Sequence, residues 1–140
     1  MPYDQQTFFE IYAANEHVGV IERGIRTVKD RTRSTVHGLP YIYYTRLMVK
    51  HLVARMVEML NAFPSKNGVS DTISPTELVL GKNKFDFGRK HIRFGSFAEV
   101  YYTTKNTNAE RSTHAIALCP DAGSGYYFMN LATGKELHSN

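Results

Sequence analysis

The sequence predicts an α+β chain, with helices first and a small antiparallel β-barrel after them. Three observations carry that expectation. Apolar residues recur at helical spacing between Val18 and Val36. Tyr41 to Leu60 spread apolar side chains over a wide helical face. Beyond Arg93, short β-rich runs alternate with turn-prone clusters. Helices that precede the strands, instead of alternating with them, indicate α+β organisation.

Taken in order, Thr7 to Ala13 is an apolar and aromatic run with strand character. A single strand leaves its backbone groups unpaired, so it calls for a sheet partner. The next segment reads as a helix. Val18, Ile21, Ile25, Val28, Thr32 and Val36 make a core-facing seam, and Glu22, Arg26, Lys29 and Arg33 make a neighbouring polar stripe. Glu22 is expected at the border between buried and wet. The helix should stop at His37-Gly38, where Gly38 supplies a C-terminal stop. Pro40 then suits the first turn of a second helix running to Leu60. Leu47, Met48, Leu52, Val53, Met56 and Val57 should bury much of its surface. Asn61 to Ser65 forms a turn and Ser65 to Asp71 a polar loop. Ser74-Pro75-Thr76-Glu77 carries a capping box with proline at the first helical position, and Gly81 ends that short helix. Lys82 to Lys90 is a basic connector. Strands are expected at Ala98–Thr103, Thr113–Cys119 and Gly125–Leu131, with turns at 105–108, 121–124 and 132–135. Their spacing suits a barrel of the SH3-like size class.

Composition narrows the function classes. The chain has 140 residues, 42% hydrophobic and 21% charged, so it is globular and large enough for one ordinary domain or parts of two. The net charge of +4 permits a nucleic-acid partner without requiring one. Its distribution is more pointed. Of 17 lysines and arginines, Arg23, Arg26, Lys29, Arg31 and Arg33 cluster together, facing only Glu22 and Asp30. A single cysteine, Cys119, leaves no internal disulfide framework and fits a reducing compartment. Neither a bilayer-spanning run nor a signal peptide is read, so no membrane partner is expected and the nucleus or cytoplasm is the expected location. The six histidines are scattered and do not make a zinc module. Cys119 lies in an apolar run and reads as a buried small side chain.

Glu22 is the one residue that suggests chemistry. A carboxylate heading a row of cations is how a metal ligand beside a nucleic-acid phosphate is presented. The plain alternative is a solvated helix face with ordinary ion pairs, such as Glu22 with Arg26 at i+4.

In order along the chain, Gly19-Val20-Ile21-Glu22-Arg23, Leu39-Pro40, Asn61-Ala62-Phe63-Pro64-Ser65, Ser74-Pro75-Thr76-Glu77-Leu78, Arg93-Phe94-Gly95 and Gly125-Tyr126-Tyr127 with Ala132-Thr133-Gly134-Lys135 resemble the integrase of copia-type LTR retrotransposons. The resemblance implies three parts. Residues 1–64 would be the last strand and helices of a truncated RNase H-like catalytic core. Residues 65–92 would be a connector with a short helix, and 93–140 an SH3-like β domain. It implies that Glu22 is the last carboxylate of an Asp-Asp-Glu triad that holds Mg2+ for DNA strand transfer. It implies DNA contacts for Arg23, Arg26, Lys29 and Arg33, and as partners the rest of the integrase polyprotein and a second copy of the chain. Among the 21 residues before Glu22, Asp4 is the one aspartate, too near to be a triad partner. The expectation is therefore an integrase fragment, inactive alone. The competing readings are a non-catalytic nucleic-acid-binding or interaction module, and a degenerate remnant.

Overall fold

Glycine at each end and a seam of branched apolar residues produce the first helix, α1 (Gly19–His37). Glu22 in its first turn and His37 in its last suit the helix dipole. The structure, a computed structural model, describes residues 19–66, 68–81, 92–101, 107–121 and 123–139. The Thr7–Ala13 run, the Lys82–Lys90 connector and Val18 lie outside the described residues.

The seam of α1 is used only in its C-terminal half. Val28, Thr32 and Val36 are half-buried, whereas Ile21 is 60% and Ile25 49% exposed. The packing partner explains this. The second helix, α2 (Arg46–Asn61), meets α1 around Thr35 and Val36, with the Thr35 hydroxyl 3.5 Å from the Met56 sulfur. The N-terminal half of α1 runs past that contact, so Glu22 is exposed and not at a buried border.

The second helix also starts later than the sequence suggests. Pro40 and Tyr41–Tyr44 are not helical. The two tyrosines are drawn into long-range hydrogen bonds that a helix would not permit. Tyr41 donates to the Gly95 carbonyl. The Tyr44 hydroxyl lies 3.1 Å from the Val36 carbonyl and 2.9 Å from that of Tyr41, so it helps satisfy the open end of α1. Thr45 is the true N-cap: its backbone is extended, its side-chain hydroxyl accepts from Met48 N at 3.2 Å, and its carbonyl accepts from Val49 N at 3.1 Å. On α2, Met48, His51 and Leu52 are buried, but Val53 (38%) and Val57 (39%) face solvent. Among the described residues the helix packs on α1 and on the strand Ser112–Pro120, and Val53 and Val57 lie away from both. The short helix α3 (Pro75–Leu80) forms as read, with Ser74 and Glu77 closing both halves of the capping box.

Four strands follow: β1 (Phe97–Tyr101), β2 (Ser112–Pro120), β3 (Tyr126–Asn130) and β4 (Glu136–Ser139). They pair antiparallel in the order β1-β2-β3-β4, an open sheet with β1 and β4 at its edges. The hairpin turns are built by side chains. Asp121 Oδ1 accepts from Gly123 N and Gly125 N at 2.8 and 2.9 Å. Asn130 Oδ1 accepts from Ala132 N at 2.8 Å, and Gly134 supplies a φ of 67°.

A β-bulge in β2 decides what α2 meets. Ala117 opposes Phe128 and Cys119 opposes Tyr127, so Leu118 is an extra residue between them. In a regular strand, residues 118 and 119 would face opposite ways. The bulge turns both toward α2. Ile116 and Leu118 share that face by ordinary alternation, and Met48 and Leu52 pack on them with Met129 and Phe94 as one core; the bulge adds Cys119 to the same side. The opposite face of the sheet is buried as well: Val100, Ala115, Ala117, Tyr126 and Phe128 cluster there under Ile92, whose carbonyl accepts from the Tyr126 hydroxyl at 2.8 Å.

Gly95 joins the helices to the sheet. Its φ is +83°, its N–H bonds the Ala117 carbonyl at 2.8 Å, and an added Cβ would lie 2.8 Å from Leu39 Cδ2. Gly95→Ala is expected to destabilise the chain by about 2 kcal/mol, from left-handed strain plus the clash. Urea titration checks this; an unchanged midpoint would show that Leu39 and Tyr41 do not press on this turn.

Candidate functional site

The residues singled out on α1 lie on the surface. Glu22, Arg23, Arg26, Lys29 and Arg33 are all exposed. The threonines of the helix bond back to their own turn, Thr27 to the Arg23 carbonyl at 3.0 Å and Thr35 to the Arg31 carbonyl at 3.0 Å. The long cationic side chains are left to project. Arg33 pairs with Asp30 at 3.4 Å with both side chains well exposed (72% and 62%), an ion pair of small energetic weight. The helix thus brings the four cations to one solvent-facing side.

Glu22 does not gather ligands with it. Among the described residues, no group of three or more His, Cys, Asp or Glu side chains is placed to hold a metal ion. Magnesium takes several hard oxygen donors in octahedral geometry. Among the described residues no such donor set forms around Glu22.

A second cluster was not legible in the sequence. His51, 6% exposed on the buried side of α2, lies between two strands. Its Nδ1 is 2.9 Å from the Cys119 sulfur on β2, and its Nε2 is 2.5 Å from Glu136 Oε2 on β4. A carboxylate only accepts, so Nε2 carries a proton and donates to Glu136. In the neutral ring Nδ1 then accepts from the Cys119 S–H. Burial pushes that thiol up from 9.0 to about 11, with the Glu58 charge adding to the effect and Arg55 opposing it. Tyr127 stacks between His51 (5.3 Å) and His138 (5.0 Å), and His138 bonds Asp121 at 2.7 Å. That hydrogen bond, helped by the Gly123 and Gly125 amides, holds the Asp121 carboxyl below its usual range.

Cysteine, imidazole and carboxylate in series have the connectivity of an activated nucleophile. The environment argues otherwise. Cys119 is 7% exposed, and its thiol stays protonated at neutral pH. Two surface clefts among the described residues lie elsewhere. One, of about 710 Å³, is lined by Phe97, Arg111, His114 and Leu131; the other, of about 340 Å³, by Ser34, Arg55, Met59 and Arg93. The sequence signal for this cluster was a histidine on the apolar face of a helix, whose partners lie 68 and 85 residues away.

No protein-family model matches the chain, and no curated protein and no solved structure matches it. No helix among the described residues is long and apolar enough to cross a membrane.

Proposed function

We propose that this chain is the C-terminal part of a retrotransposon-type integrase that binds DNA through α1 and does not transfer strands by itself. The observation that carries the reading is the exposed row of Arg23, Arg26, Lys29 and Arg33 on one helix. Such a row suits the regularly spaced phosphates of a duplex, where each neutralised phosphate releases a counterion. The ordered blocks from Gly19 to Lys135 support the integrase assignment, with α1 and α2 as the remnant of an RNase H-like core and the four strands as an SH3-like unit. Glu22 would join two upstream aspartates and Mg2+ only in a complete enzyme, in the nucleus or cytoplasm and beside the rest of the polyprotein or a second copy.

Fluorescence anisotropy with a labelled DNA duplex, repeated over a salt series, tests the proposal. Affinity should fall steeply with salt, and Arg26→Ala with Lys29→Ala should flatten the log–log slope by about 2. Glu22→Gln should leave binding intact. Salt-independent binding, or none, would remove the DNA assignment. Magnesium-dependent joining of DNA ends by the purified chain would remove the claim of inactivity.

A further inference from the structure

The smaller surface cleft, of about 340 Å³, has a lining that the cation row of α1 does not explain. Three segments build it: the C-terminal end of α1, the second half of α2 and residues 92–94. Leu39, Met56, Met59 and Phe94 supply apolar walls, and Arg55 and Arg93 supply charge. Among the described residues no Asp or Glu lines it, and neither do Arg23, Arg26, Lys29 and Arg33. We propose that this cleft binds a medium-chain carboxylate, with the apolar chain against the methionines and the anionic head at Arg93.

The electrostatics select the sign of the ligand. Arg55 is held by Glu58 at 2.8 Å with its side chain 11% exposed, so its guanidinium is fixed and its charge is largely balanced. Arg93 is exposed, and among the described residues no carboxylate pairs with it. Its place is set by the backbone. Ser96 N bonds the Arg93 carbonyl at 3.1 Å, and Gly95 N ties the same turn to the Ala117 carbonyl at 2.8 Å. The carbonyl end of α1 would repel an anion if it were open. It is occupied: Gly38 N bonds the Thr35 carbonyl at 3.0 Å, and Leu39 N and the Tyr44 hydroxyl both bond that of Val36 at 3.1 Å. A carboxylate in the cleft thus meets the unbalanced charge of Arg93.

The walls select the body of the ligand. Phe94 belongs to the buried core and gives a rigid floor. Met56 and Met59 are half-buried, and methionine adapts to irregular apolar shapes. The Thr35 hydroxyl, 3.5 Å from the Met56 sulfur, steadies that side chain. Apolar walls with a few polar groups that fix orientation are the usual make-up of a small-molecule cleft. A volume of about 340 Å³ lies at the small end of the usual range of roughly 300–1,000 Å³. That size favours a medium-length acyl chain over a nucleotide or a long-chain lipid.

The test is a titration of the folded chain with sodium octanoate, followed by carbon-13 signals from labelled methionine methyls. The Met56 and Met59 methyls should shift saturably, while those of Met48 and Met129, buried in the core, should stay. Octanol, with the same chain and no charge, should bind about 5-fold more weakly, and Arg93→Ala should weaken octanoate by a similar factor. Arg55 is left in place in this series, because its loss would disturb Glu58 as well. The proposal is overturned if octanoate gives no saturable shift, if octanol binds as tightly as octanoate, or if Arg93→Ala binds as tightly as wild type. It is also overturned if Met48 and Met129 move with the other two, which would report general loosening. A DNA duplex that shifts the Met56 and Met59 methyls and displaces octanoate would assign the cleft to nucleic acid and overturn it equally.

Discussion

Leu52→Ala is expected to lower stability by about 3 kcal/mol and to do so for the helices and the sheet together. Leu52 is 1% exposed and shares a core with Phe94, Ile116, Leu118 and Met129. Truncation removes the branched methine and its two methyl groups and leaves a cavity that helix and sheet cannot both collapse into, which places the change in the range of about 2–5 kcal/mol. Against a total of about 5–15 kcal/mol for an ordinary domain, that loss is large. The sequence assigns Leu52 and Leu118 to separate segments, yet their side chains meet. Urea unfolding followed by far-ultraviolet circular dichroism and by tyrosine fluorescence, in a chain without tryptophan, should give coincident curves displaced by the same amount. Val53→Ala, on the 38%-exposed outer side of α2, should cost less than about 1 kcal/mol. If Leu52→Ala displaced the helical signal and left the tyrosine signal in place, α2 and the sheet would be independent units and the shared core would be energetically empty.

What the sequence conveyed about this fold depended on how local each signal was. The end of α1 at His37 was placed correctly, although Gly38 does not take the left-handed φ, and the whole of α3 was legible because proline, a capping box and Gly81 act within one turn. Three of the four strands were legible from β-rich runs separated by Asp121 and Asn130 turns, and β4 (Glu136–Ser139) was not read. The start of α2 was misread because Tyr41 and Tyr44 look helical in isolation while their hydroxyls are committed to Gly95 and Val36. The bulge at Leu118 was invisible, since Ala115 to Cys119 is apolar throughout and carries no alternation from which a face is read. The α1 cations were found by helical spacing, and the structure places them together on the surface. His51 and Glu136 were not found, because a contact across 85 residues leaves no periodic trace.

The same cluster makes stability fall in mild alkali. Folding raises the Cys119 thiol from 9.0 to about 11, so the folded chain holds that proton more tightly than the unfolded chain does. The stabilising contribution is complete below pH 9, the unfolded value, and is lost as pH rises through about 11. The full loss is about 2 kcal/mol, of which about 1 kcal/mol falls between pH 8 and pH 10. Burial is the main cause; Glu58 and Glu136 reinforce it, and Arg55 and Lys50 work against it. Tyr126 adds a second alkaline slope, because burial also raises its hydroxyl, but from 10.0, so that slope begins higher. The window from pH 8 to pH 10 therefore reports on the thiol. Urea midpoints measured across it should decline for wild type and for Tyr126→Phe alike. Cys119→Ala should start less stable, because His51 Nδ1 loses its donor in a buried place, and then stay level. A decline in Cys119→Ala as steep as in wild type would assign the alkaline loss to other groups. The thiol would then be no more tightly protonated in the fold than in the open chain.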